Sequence, residues 1–314
     1  MNSFEYINQL AKKREPFLFV SDFLAKDVEV YPLSTLSEEN ISYSIKESKI
    51  LKKSNIDSLL KTPLPFENYQ DKFEKVLEHI KAGNCYLLNL TQPTKIKLNL
   101  SLQEIYNTTQ AEYKLYYKDK FVCFSPEKFI QISNNTINTF PMKGTIDASL
   151  PNAKEKILSD SKEMAEHVMV VDLLRNDLSV VSTNVRVKEF RYITKLTTNE
   201  KDLLQVSSHI SGDLEENWYE RLGDILQSVL PAGSISGTPK KKTLEIIQEI
   251  EEYERGFFSG VFGVYDGESF DSGVMIRFIE KTDEGFIYKS GGGITLDSYV
   301  EDEYNELLSK IYLP

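Results

Sequence analysis

Apolar and polar positions along this chain alternate with two different periods. Phe17-Leu18-Phe19-Val20 and Val28-Glu29-Val30-Tyr31 are short runs that predict two strands joined by a turn. Tyr69, Phe73, Val76, Leu77 and Ile80 recur at helical spacing, and Gly83 supplies a stop. An apolar strand follows over 85–90. Residues 121–124, 128–133 and 136–140 read as strands, the last two joined by an Asn134-Asn135 turn. A long helix is predicted over about 161–175, with Met164, Val168 and Val171 on one face, and another over about 238–250. Three strands come next, 256–264, 272–280 and 285–289, punctuated by Asp266-Gly267 and Asp283-Glu284-Gly285. A last helix covers about 300–311.

This order mixes meandering strands with a few long helices and lacks the strict alternation of a Rossmann sheet. It predicts an α+β fold with large antiparallel β-sheets, a β-sandwich flanked by helices. Residues 34–65 are polar and weakly patterned up to Pro63 and Pro65, and form the best candidate boundary.

Composition narrows the function. Of 314 residues, 40% are hydrophobic and 27% charged, which suits a globular chain rather than a disordered one. The net charge is −11, and basic runs such as Lys240-Lys241-Lys242 are short. Nucleic acid and anionic membrane are therefore not expected partners. The first 16 residues hold no signal-type apolar core, and no run approaches a membrane span. Cys85 and Cys123 have no metal-type spacing and read as buried reduced thiols, so a cytoplasmic protein is expected. If the substrate is an anion, an acidic protein must make its site locally positive.

Several constellations could carry chemistry. Glu163 and Glu166 share a helix face, and so do Glu303, Glu306 and Lys310 beside the stripe of Val300, Tyr304, Leu307, Leu308 and Ile311. Two such acidic pairs facing each other would make an oxygen-ligand magnesium site, although spacing alone favours solvated charges. Residues 232–240, Ala-Gly-Ser-Ile-Ser-Gly-Thr-Pro-Lys, lead into a helix with amides able to bind an anion; a plain capped loop reads equally well. Gly291-Gly292-Gly293 permits close backbone approach to a ligand, yet reads more simply as a flexible turn. Lys143, before Gly144, could be a nucleophile if held dry. Arg277 lies in the apolar strand-like run 274–279, where either a ligand carboxylate or a structural salt bridge would pair it. The three histidines are unclustered and suggest neither a zinc site nor a triad.

Taken together, these segments resemble the chorismate-utilising enzymes from roughly Phe66 to Ile311. The motifs that carry the resemblance are Ser125-Pro126-Glu127-Lys128-Phe129, Pro141-Met142-Lys143-Gly144-Thr145 and Glu163-Met164-Ala165-Glu166-His167 with Val171-Asp172-Leu173-Leu174-Arg175-Asn176-Asp177. Residues 231–240, 260–277 and 291–310 continue them in the family's order. The resemblance implies one chorismate-binding catalytic domain over 1–314, with a shortened portion over 1–65 and the core over 66–314. Family members making anthranilate, isochorismate or salicylate resemble one another in having Ala before Gly-Thr, whereas aminodeoxychorismate synthase component I has Lys, as here. That implies amination of chorismate to 4-amino-4-deoxychorismate, a precursor of 4-aminobenzoate and folate. Ammonia would come free or from a separate glutamine amidotransferase subunit.

The resemblance also implies roles. Mg²⁺ would be held by Glu166 and Glu306, with Glu163 and Glu303 binding directly or through water. Arg277 and the amides of Gly291, Gly292 and Gly293 would take the enolpyruvyl carboxylate. Lys310 would sit near the metal-bound end, and Thr145 and Ser236 would complete the substrate site. Glu127 would act as general acid at the C4 hydroxyl and Lys143 would attack C2. Leu87 stands where relatives that activate water at C2 carry a lysine. The chain departs from the family's pattern at Ile146-Asp147, where an Arg is frequent, and at Gln205, where a His is frequent. No segment of tryptophan-pocket type is seen, so tryptophan binding is not expected, and pyruvate elimination to 4-aminobenzoate is expected to need another enzyme. The readings to be separated from amination are an anthranilate synthase large subunit and a non-catalytic chorismate-binding relative.

Overall fold

The computed structural model describes residues 2–45, 59–197 and 202–313. Two antiparallel sheets dominate it. Along the first, the strands run Met142–Asp147, Asp202–Asp213, Thr136–Thr139, Lys128–Ser133, Phe270–Val274, Val261–Tyr265, Phe17–Ser21 and Val28–Pro32, with Thr183–Thr197 also on Asp202–Asp213. Along the second they run Gly237–Thr238, Leu87–Lys97, Gly285–Ile294, Phe278–Thr282, Phe121–Ser125, Tyr113–Tyr117 and Ile41–Ile45, with Leu60–Thr62 also on Leu87–Lys97. The fold is thus α+β with large antiparallel sheets, as the pattern predicts.

Alternation along the strands sets the layers. In Phe17–Ser21, Phe17 and Phe19 join a core shared with the helices Ser3–Lys12, Phe66–Lys81, Ser161–Val181, Leu222–Val229 and Lys240–Ile250. Leu18 and Val20 point the other way, into an aromatic core with Tyr113, Tyr117, Phe121 and Phe278 of the second sheet. The outer face of the second sheet is covered by the helix Leu102–Thr108 through Leu102 and Ile105. Strands buried on both faces read as unbroken apolar runs, which is why 17–20 and 121–124 are visible in the sequence. Asn134 and Asn135 both have positive φ, the geometry of a two-residue hairpin turn. Cys85 and Cys123 are buried and free.

Five expectations need correction. The strand predicted over 256–264 begins only at Val261 and runs to Tyr265. The run 272–280 is not one strand. It is Phe270–Val274 in the first sheet and Phe278–Thr282 in the second, joined through Met275, Ile276 and Arg277, and Arg277 has φ 51°. Both halves stay buried as the chain changes sheet, so the hydrophobic pattern shows no break. Gly291–Gly293 is not a turn. It continues the strand Gly285–Ile294, opposite Thr91, Leu90 and Asn89. The helix predicted over 161–175 extends to Val181, and its buried face is not that of Met164 and Val168, which are largely exposed. Glu166, His167, Val170 and Leu174 face inward instead. Finally, the strand over 85–90 begins at Leu87 and runs to Lys97, past Pro93. Pro93 lies between the stretches that pair with Gly237–Thr238 and Leu60–Thr62, where the ladder on that side needs no N–H.

Within 34–65, Ile41–Ile45 pairs with Tyr113–Tyr117 and Leu60–Thr62 with Leu87–Lys97, while 46–58 lie outside the described residues. Among the described residues no helix is long and apolar enough to cross a membrane.

Candidate active site

Two adjacent crossings between the sheets build one wall of the site. The chain leaves the second sheet at Ser125 and enters the first at Lys128, passing through Glu127. Nearby it leaves the first at Val274 and enters the second at Phe278, passing through Arg277. Backbone bonds lock the crossings together: Val274 N donates to Glu127 O at 3.0 Å and Phe124 N to Ile276 O at 3.3 Å. Two functional candidates 150 positions apart are thereby brought side by side.

Lys143 is aimed by an irregularity. The register of Met142–Asp147 against Asp202–Asp213 shifts between Met142 and Thr145, and Gly144 has φ 82°. A bulge of this kind turns a side chain out of the normal alternation. Glycine serves twice here: the left-handed backbone is free for it, and a Cβ would stand 3.0 Å from Glu163 Oε2. Lys143 Nζ lies 3.7 Å from Glu166 Oε2.

The glycine strand closes the opposite side. A Cβ on Gly293 would meet Lys143 Nζ at 3.0 Å and Leu87 Cδ1 at 3.2 Å. One on Gly292 would meet Glu303 Oε2 at 3.2 Å and Glu306 Oε1 at 3.5 Å. Lys310 Nζ pairs with Glu306 Oε1 at 2.6 Å and donates to Gly291 O at 2.8 Å. Glu163 and Glu166 come from the helix Ser161–Val181, whose start is fixed by Asp160 accepting from Glu163 N at 3.0 Å. Glu303 and Glu306 come from the helix Val300–Ser309.

Charge is crowded here. Burial raises the carboxyl pKa values of Glu163, Glu166 and Glu303, against the partial relief that lysines provide. Burial is the largest influence on Glu306, but Lys310, Lys143 and Lys162 together outweigh it and the net shift is downward. Burial pushes Glu127 up, opposed by the Ser234 hydroxyl and by the charges of Lys143, Lys310 and Arg277. The Glu127 carboxyl thus feels the charge of all three cationic candidates.

The remaining candidates take defined places. Arg277 Nε donates to Tyr312 Oη at 3.2 Å, with the guanidinium 5.1 Å from that ring's centroid. Thr145 is exposed, in register with Gln205. Ser236 is fully buried and donates to Ala232 O at 3.0 Å. The side chain that reaches the site from that segment is Ser234, at 2.5 Å from Glu127 Oε1. Sequence reasoning passed over it because spacing in a loop does not say which hydroxyl faces inward. It also passed over Lys162 and Ser298, which hold Glu303 Oε1 at 3.5 and 2.7 Å. Lys162 stood beside Glu163 in a matched motif.

The acidic residues suit a hard cation. All four donors are carboxylates, and Glu303 Oε2 is buried without a hydrogen-bond partner. Among the described residues no three His, Cys, Asp or Glu side chains converge into a ready cage. Magnesium does not need one, since it is commonly held by one or two carboxylates with substrate and water completing the shell. The donor set therefore fits Mg²⁺.

Comparisons with known proteins agree with this geometry. The chorismate binding enzyme family matches residues 17–313, so the match begins well before Phe66. An "Uncharacterized PabA-like protein" of Haemophilus influenzae is 48% identical over 99% of this chain and 95% of its own length. Aminodeoxychorismate synthase component 1 of Bacillus subtilis is 31% identical over 80% of this chain, which spans about half (55%) of that relative. Among solved structures, anthranilate synthase component I from Streptococcus pneumoniae superposes with a TM-score of 0.70 at 26% identity, covering 83% of this chain and 60% of that one. The menaquinone-specific isochorismate synthase from Escherichia coli shares the fold, with a TM-score of 0.74 at 14% identity, covering 97% and 79%. With crossings, bulged lysine, glycine strand and paired acids all lying inside the matched region, the chain belongs to the chorismate binding enzyme family.

Proposed function

We propose that this chain is the chorismate-aminating component of an aminodeoxychorismate synthase, forming 4-amino-4-deoxychorismate from chorismate and ammonia. The observation that carries the reading is Lys143. Its amine projects from a bulge to 3.7 Å from Glu166 and against Gly293, in the electrostatic reach of Glu127. A lysine so placed can serve as nucleophile, and the acid needed to release a hydroxyl is near enough to feel its charge. Leu87, an apolar side chain with no base to activate water, borders the same point of Gly293 as the amine.

Arg277 and the amides of Gly291–Gly293 receive the enolpyruvyl carboxylate, and Lys310 lies toward the ring carboxylate. Mg²⁺, held by Glu166 and Glu306 with Glu163 and Glu303 direct or through water, supplies a counter-charge for that ring carboxylate when bound. The Lys143 amine, its proton having passed to solvent water, bonds to C2 through the nitrogen lone pair. The two ring double bonds each move one place, and the C4–O bond breaks with its electron pair. Glu127, whose pKa burial raises, delivers its proton to the departing oxygen, which leaves as water. Ammonia then bonds to C4, the double bonds return and the lysine amine is expelled. Ammonia reaches the site free or from a glutamine amidotransferase subunit, and we place the enzyme in the cytoplasm.

The test is mass spectrometry of the protein incubated with chorismate and Mg²⁺ without ammonia. Wild type should carry a covalent adduct and Lys143→Ala none; equal adducts on both would remove Lys143 from the nucleophile's role. With ammonium present, 4-amino-4-deoxychorismate should be the product. Anthranilate as sole product would instead assign the chain as an anthranilate synthase large subunit, and binding without turnover would mark it as non-catalytic.

A further inference from the structure

Glu127 is held from three directions. Its N–H donates to Ser125 Oγ at 3.0 Å, its carbonyl accepts from Val274 N at 3.0 Å, and its Oε1 accepts from Ser234 Oγ at 2.5 Å. The last bond lies at the short end of the O–H···O range. The turn that bears Ser234, Gly233–Ile235, is itself anchored. Arg255 Nη1 donates to Ile235 O at 3.0 Å, while its Nη2 donates to Asn89 O at 2.6 Å, opposite Gly293. Arg255 is paired with Glu251 at 2.6 Å, and both are buried. On the other flank Gly233 packs so closely on the helix Ser161–Val181 that a Cβ would stand 2.9 Å from Asp177 Oδ2. The hydroxyl is therefore presented by a rigid turn, not by a free loop.

Donation to one carboxyl oxygen has a chemical consequence. A protonated carboxyl has one carbonyl-like oxygen and one hydroxyl oxygen, and the oxygen that accepts a hydrogen bond is favoured as the carbonyl-like one. We propose that Ser234 is a positioning residue for the acid step, fixing the Glu127 rotamer and keeping the transferable proton on Oε2. This rests on the reading of Glu127 as the general acid. In the step the Oε2–H bond breaks, the proton passes to the C4 oxygen, and that oxygen leaves as water with the C4–O electron pair. The new bond is Lys143 Nζ to C2. Ser234 then donates to a carboxylate, and a charge-assisted bond is stronger than a neutral one. The same hydroxyl helps in both halves of the reaction and touches no substrate.

The charged groups that face the Glu127 carboxyl are Lys143, Lys310 and Arg277, and each favours its ionised form, as the Ser234 hydroxyl does. Removing the hydroxyl should therefore raise the pH at which the acid is lost. The experiment is steady-state kinetics and kcat pH profiles for Ser234→Ala, Ser234→Thr, Glu127→Gln and the double variant Ser234→Ala/Glu127→Gln. Ser234→Ala should lower kcat about 10-fold, as expected for loss of one bond to a charged group, with KM little changed and the alkaline limb moved upward. Ser234→Thr should restore both. In the Glu127→Gln background the loss of Ser234 should cost nothing more. An undiminished loss in that background, or an unmoved alkaline limb, overturns the proposal. Wild-type kcat in Glu127→Gln would overturn the acid reading itself, and the absence of any alkaline limb assignable to Glu127 tells the two failures apart. Should the alanine variant not fold, Ser234→Cys, a weak donor of similar size, carries the same comparison.

Discussion

Gly293 shows how a missing atom can make room for a neighbouring amine, that of Lys143. Any side chain there would enter the space of the Lys143 amine and the Leu87 methyl. The amine is the end of a flexible chain and can retreat, so Gly293→Ala should fold, with a melting temperature near wild type. It should lose kcat by about 10-fold or more, because an ångström of misplacement at a reacting atom is costly. Kinetics and thermal denaturation on the same preparation check this; an unchanged kcat would mean that the amine is not held against this glycine. His167 makes a second residue-scale prediction. It is fully buried, with Nε2 at 2.6 Å from Ser208 Oγ and Nδ1 unpartnered. Burial first, then the charges of Arg191 and Lys143, lower its pKa to about 4. A histidine depressed in the fold takes up protons more readily when unfolded, so its contribution to stability is intact above about pH 6.5 and lost as pH falls toward 4. Between pH 8 and pH 5 the loss should be about 2 kcal/mol, and His167→Gln should flatten that part of the pH–stability curve in urea titrations.

At the scale of elements, the site hangs on how segments are tied rather than on their regularity. The helix Ser161–Val181 turns its acids inward because its neighbours require it: Asp177 is paired with Lys240 at 2.8 Å and the Gly233 turn packs on it. The Glu251–Arg255 pair joins the Ser234 turn to the strand Leu87–Lys97 by three routes, since Glu251 Oε1 also accepts from Thr91 N at 2.8 Å. Breaking a buried pair from one side leaves the other charge uncompensated. Arg255→Ala should cost about 3–5 kcal/mol and lower the urea midpoint accordingly. Lys95→Ala, which removes an exposed pair with Glu284, should leave that midpoint unchanged. Equal effects from the two variants would contradict this ranking.

Across the whole molecule, the net charge of −11 is compatible with an anionic substrate because cations are concentrated where the two sheets exchange strands. Buried Glu166 and Glu303, half-buried Glu163 and exposed Glu306 gather beside them, and the first three have raised pKa values. Such groups cost stability at neutral pH, and the cost eases as pH falls toward the unfolded pKa near 4.3. A divalent cation should relieve the same cost. Mg²⁺ at a hundredfold excess over its dissociation constant should stabilise the protein by about 2.7 kcal/mol, read as a rise of several degrees in melting temperature. Glu166→Gln should diminish the rise, and no response in wild type would argue against a magnesium site.

The sequence alone determined the fold class, the helices over about 69–80, 238–250 and 300–311 and the hairpin of 128–133 and 136–140, because periodicity and turn chemistry are local, and it pointed to the motif residues through the family resemblance. It was silent on the long hairpin of Thr183–Thr197 and Asp202–Asp213, whose one face is largely polar, and on the break at Met275–Arg277, where burial continues through a change of sheet. Tertiary structure decided the rest. It put Glu127 beside Arg277 through paired crossings, turned Lys143 out through a bulge, and chose Ser234 over Ser236 as the hydroxyl that meets the acid. Such choices depend on contacts between residues far apart in the chain, and no local pattern encodes the direction in which a side chain will point.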